Sequence, residues 1–116
     1  MKYVLLIYED PNVWNAMPAA ERDSIMAEYG TFTREIIASG HFAGGEQLHE
    51  PSRATSVRLR EGKRLVHDGP FAETREHLGG YYVIEAKDLD DALSIAERIP
   101  SARIGTIEVR PVVPTP

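Results

Sequence analysis

A chain of 116 residues, 42% of them hydrophobic, reads as one domain over residues 1–116, long enough for a real but modest core. It has no cysteine, which excludes disulfides, thiolate metal sites and cysteine nucleophiles, and its formal charge of −5 argues against nucleic acid or anionic membranes as partners. No stretch approaches transmembrane length, and Glu9-Asp10-Pro11 ends the opening apolar run too early for a signal peptide, so a cytoplasmic protein is expected.

Residues 2–8 are apolar on both alternating faces, which predicts a central strand covered above and below. Residues 10–17 read as a loop carrying the only tryptophan, Trp14. Pro18 suits the first turn of a helix. Ile25, Tyr29, Phe32 and Ile36 then recur at helical spacing until Ser39-Gly40 stops the helix. A weaker strand follows over 41–48, interrupted by Gly44-Gly45 where a bulge is expected. Residues 55–60 and 63–67 form a hairpin around Glu61-Gly62. After Asp68-Gly69-Pro70-Phe71 a single helical turn is expected over 72–76, then a strand over 81–84, again apolar on both faces. Asp88 caps a helix whose apolar stripe is Leu89, Ala92, Leu93, Ala96 and Ile99, Pro100 closes it, and residues 104–110 form the last strand.

That succession predicts an α+β, ferredoxin-like antiparallel sheet with two helices on one face and an inserted hairpin. Two helices cover only one side of such a sheet, yet two of its strands are apolar on both. A second copy of the chain is the economical cover for the other side, so a homodimer with sheets face to face is expected.

The residues from Val66 through Asp68-Gly69-Pro70-Phe71 to Gly79-Gly80-Tyr81-Tyr82 resemble the signature of YCII-related proteins of the DGPF type. The similarity continues through residues 84–90, Arg98-Ile99-Pro100 and Glu108-Val109-Arg110-Pro111, with Gly44-Gly45-Glu46 and Met1-Lys2-Tyr3 fitting the same pattern. The resemblance implies a dimeric α/β-barrel and a bacterial cytoplasmic protein, of a kind often encoded beside extracytoplasmic-function sigma factors. In the wider family a histidine on the first helix and an aspartate near the later turn are the proposed acid–base pair. Asp68 matches the aspartate. The histidine position falls near Tyr29, and the first helix here contains no histidine.

Asp68 and His67 are the candidate catalytic pair. Asp68 serves as a general base if burial raises its pKa; alternatively it caps its own turn. His67, its neighbour, points to the opposite face of an ideal strand. Tyr8, Tyr29 and Tyr81 are placed between helix and sheet, as core residues or as groups orienting an aromatic or carbonyl ligand. Glu46 is the next carboxylate, and Phe71 plugs the turn onto the core. These five are the candidate ligand contacts. Trp14 and Met17 form either a lid or a dimer contact. His67 and His77 bracket Glu73 and Glu76 without the fixed spacing of a metal site, and no nucleotide or phosphate fingerprint occurs, so neither metal nor cofactor is expected. Three functions stay open: a small-molecule-binding protein or enzyme with lyase- or hydrolase-type proton transfer, an accessory of a sigma-factor system, and a structural dimeric module.

Overall fold

The strand β1 (Lys2–Glu9) is apolar on both sides, and it forms the middle of the molecule. In the computed structural model, which describes residues 1–116, it is flanked by β5 (His77–Glu85) and β6 (Thr106–Pro111), and β2 (Phe42–Gln47) pairs on the far side of β5. The sheet order is β2–β5–β1–β6 with every pair antiparallel. The expected succession of strands and helices is therefore present, with one short helix more than expected.

Register assigns the side chains. Tyr3, Leu5 and Ile7 lie opposite Ile84, Tyr82 and Gly80, while Val4 and Leu6 lie opposite Val83 and Tyr81. Directly paired residues share a face, so the first set looks one way and the second the other. The helices α2 (Ala19–Ala38) and α3 (Leu89–Ala96) both pack on the first face. Phe32 and Ile36 from α2 and Ala92, Ile95 and Ala96 from α3 join Tyr3, Leu5, Ile7 and Ile84 in one buried cluster. The molecule measures 47 × 47 × 18 Å. Eighteen ångströms accommodates a sheet and one helix layer, and Val4, Leu6, Tyr8 and Val83 on the second face are only half-buried.

Three local expectations are corrected. Residues 10–17 are not a plain loop but contain α1 (Pro11–Ala16), because the Asn12 N–H donates to the Asp10 carboxylate at 2.9 Å and Pro11 occupies the first turn. Residues 72–76 form no helical turn. In α3 the buried stripe is Ala92, Ile95 and Ala96, continuing to Ile99, whereas Leu89 and Leu93 stand about half exposed. The start of α3 is fixed as expected: Asp88 accepts the Asp91 N–H at 2.9 Å and Asp91 accepts the Lys87 N–H at 2.9 Å. That Lys87 N–H holds the Asp91 carboxyl below its ordinary range, helped by His41 nearby.

The hairpin of β3 (Thr55–Arg60) and β4 (Lys63–Asp68) forms a sheet of its own. Glu61 at φ 53° and Gly62 at φ 75° supply the two left-handed residues of a tight hairpin turn. Val57, Leu59, Leu65 and Val66 are all half or more exposed, so nothing in the chain covers them.

Candidate functional site

The cleft owes its existence to missing side chains. Where α2 crosses the upper half of the sheet, the helix-facing positions of β2 and β5 are Gly45 and Gly80, and Gly79 is the extra residue where the β1–β5 register shifts. A methyl on Gly45 would lie 2.6 Å from the Tyr81 carbonyl oxygen, and one on Gly80 would lie 3.1 Å from that of Glu46. With no side chains rising from this floor, a cleft of about 700 Å³ opens between α1, α2 and the β2–β5 edge. Its walls include Trp14, Met26, Tyr29, Thr33 and Tyr82, and the stretch 45–51 closes one side.

Glu9 stands at one end of the cleft. Residues 3, 5 and 7 face the helices, and the same alternation sends Glu9 that way, where no core remains to bury it. Ser101, fully buried in the 3-10 turn Pro100–Arg103, donates to Glu9 Oε1 at 2.5 Å. Tyr29 Oη donates to Ser101 Oγ at 2.5 Å. A helix, a turn and a strand end thus contribute one residue each to a hydrogen-bonded line that finishes on a carboxylate. The Tyr82 hydroxyl is engaged elsewhere, 2.7 Å from Thr33 Oγ1. No group of three His, Asp or Glu side chains is placed to hold a metal ion.

Burial pushes the Tyr29 phenol from 10.0 up to about 12; the Ser101 hydrogen bond opposes this and the Glu9 charge adds to it. The unfolded chain therefore loses this proton first as pH rises. The resulting stabilisation is complete below pH 10 and drains away toward pH 12, an effect of roughly 2 kcal/mol. Urea melts at about pH 9 and about pH 11.5 check it: the stability difference between wild type and Tyr29→Phe is expected to shift by that amount, with wild type losing more.

Of the residues singled out by sequence, Tyr29 lies at the centre of this line; Glu46 and Tyr81 lie along the cleft's strands, but their pairing with each other and with Leu6 places both side chains on the helix-free face. Tyr8 does not line the cleft: it pairs with Leu78 and Thr106, on the face turned away from the helices. His67 and Asp68 are exposed on β4, outside the cleft, because β4 pairs only with β3 and the hairpin stands clear of the sheet. The Asp68 carboxylate accepts no hydrogen bond. The turn is tied instead by the Ser56 hydroxyl donating to the Gly69 carbonyl at 2.8 Å and the Gly69 N–H donating to the Ala54 carbonyl at 2.7 Å. Phe71, expected to plug the turn, is instead 77% exposed, in a stretch that belongs to no helix or strand. Trp14 is a wall of the cleft and Met17 is not. Glu9 and Ser101 were not singled out by sequence at all.

No helix is long and apolar enough to cross a membrane. A family model described as the YCII-related domain matches residues 1–116. An uncharacterised protein of Rhizobium meliloti (strain 1021) is 34% identical over 114 residues, which covers 97% of this chain and 92% of that protein.

Proposed function

The chain belongs to the YCII-related domain family, and from that premise together with the cleft we propose that it is a small-molecule-binding protein with an acid–base centre at Glu9. The observation that carries this is the line Tyr29–Ser101–Glu9, which ends on a carboxylate beside an unfilled, glycine-floored hollow. A carboxylate so placed accepts a hydrogen bond or a proton from whatever occupies the cleft. In the wider family's pair, the helix position near Tyr29 would carry a histidine. Here a tyrosine stands there and reaches the carboxylate through Ser101. Proton transfer on a bound carbonyl or aromatic compound is the reaction this arrangement suits, with Glu9 as base.

The test is a ligand thermal-shift screen on wild type, Glu9→Gln and Asp68→Asn. A ligand that binds only the folded state raises its apparent stability with the logarithm of concentration over Kd. Compounds that stabilise wild type are expected to lose their effect on Glu9→Gln and keep it on Asp68→Asn. The reverse pattern would return the site to the hairpin.

A second reading concerns assembly. Val4, Leu6 and Val83 form an apolar strip on a sheet face that carries no helix, and the chain is only 18 Å thick across its layers. A homodimer that joins these faces would cover the strip, and with it the role expected for the tyrosine Tyr8 becomes an interfacial one. Analytical ultracentrifugation should give a dimer for wild type and a monomer for Leu6→Asp. A wild-type monomer at micromolar concentration rules the pairing out.

A further inference from the structure

We infer that the cleft is built for an organic cation: a protonated amine directed at Glu9, carried on an aromatic or aliphatic body that rests against Trp14, Met26 and Tyr82. This rests on the cleft being a ligand site, as proposed above, and adds the chemical class of its occupant.

The direction of the hydrogen bonds comes first. A hydroxyl has one proton to give. Tyr29 spends its proton on Ser101, and Ser101 spends its own on Glu9 Oε1. The line therefore presents only an acceptor to the cleft. The other carboxylate oxygen, Oε2, has no hydrogen-bond partner in the chain, and it lies 3.8 Å from the point where a side chain on Gly79 would begin. A ligand must bring the donor.

Charge narrows the class. Glu9 takes part in none of the chain's ion pairs, although it is half-buried. Carboxylates withdrawn from water are ordinarily paired. No lysine or arginine lines the cleft, and the other ionised residues along it, Glu46 and Glu50, are exposed acids. His49 and His77 are the only lining residues able to become positive. Phosphates and carboxylates are gripped by arginine forks or lysines; a site without either, ending in an unpaired carboxylate, repels them. The walls agree. Indole and phenol faces attract an ammonium group, and Met26 adds a polarisable apolar contact. The glycine floor lets the charged end reach the backbone level of β5.

Three probes with the same phenylethyl body test this by calorimetric titration near pH 7: phenethylamine, phenethyl alcohol and hydrocinnamate. The amine is expected to bind wild type about tenfold tighter than the alcohol, with hydrocinnamate weakest, because an ion pair with a half-buried carboxylate outweighs a neutral hydrogen bond. In Glu9→Gln the preference for amine over alcohol is expected to vanish, and Trp14→Ala should weaken the amine while leaving that preference in place. Since the ranking is read on wild type, it does not depend on any variant folding. Binding of hydrocinnamate or the alcohol as tightly as the amine overturns the cation assignment and leaves the cleft reading standing. Failure of a wider panel of cationic, neutral and anionic aromatics to bind overturns both.

Discussion

Gly105→Ala is expected to destabilise the protein by about 3 kcal/mol or more and to abolish ligand-induced stabilisation at the same time. A methyl at this position would lie 2.2 Å from the Tyr8 carbonyl oxygen, 3.3 Å from its carbon and 3.4 Å from Glu9 Cα. All three are backbone atoms of β1, the central strand, so no side chain can rotate away to make room. The Gly105 N–H also donates to the Ser101 carbonyl at 2.7 Å, which ties the turn to the start of β6. The absent side chain is what lets the turn press against the end of β1, and that closeness brings Ser101 to Glu9. An alanine there must push the turn outward, separating Ser101 from the carboxylate. Two measurements check it together. Urea unfolding should show the loss of stability, and ultraviolet titration of the folded fraction should show the Tyr29 phenol falling from about 12 toward its ordinary range. A variant that melts like wild type would mean that the contact relaxes cheaply.

Leu5→Ala is expected to cost about 3–4 kcal/mol, within the range found for deleting a fully buried leucine side chain. Leu5 is fully buried, sits between Tyr82 of β5 and Val109 of β6, and belongs to the cluster that α2 and α3 close over. Only 15 of the 116 residues are buried, so the core has few neighbours free to collapse into the gap. For a domain whose whole stability is of order 5–15 kcal/mol, this is a substantial share. Denaturant unfolding should show a lower midpoint at unchanged m value, and a loss below about 1 kcal/mol would contradict the packing described.

Much of the fold was written in side-chain alternation and punctuation. The two-sided strands, the long helix ended by Ser39-Gly40, the hairpin about Glu61-Gly62 and the Asp88 cap all follow from local chemistry acting within a few residues. The misses share a cause: one signal carried two messages. Asp10-Pro11 ends β1, but the same pair also caps and opens α1. Leu89 and Leu93 are as apolar as Ile95, and only the docking angle of α3 decides which of them is buried. At the site, the conspicuous Asp68-Gly69-Pro70 turn drew attention to a carboxylate that stands in the open. Glu9 was visible in principle, because residue 9 continues the parity of 3, 5 and 7. Its importance depends on Ser101, 92 residues away in sequence and brought near by tertiary packing alone. No spacing rule reaches that far.

The hairpin's independence has a consequence for how the molecule breathes. With both edges of β3 and β4 free and no sheet partner beyond each other, amide protons over residues 55–68 should exchange with deuterium through small, frequent openings. Those of β1, bonded on both sides, should wait for the whole domain to come apart. The carboxylate at the end of that strand therefore rides on the slowest-exchanging segment of the chain, and the acidic centre keeps its shape while the separate hairpin frays.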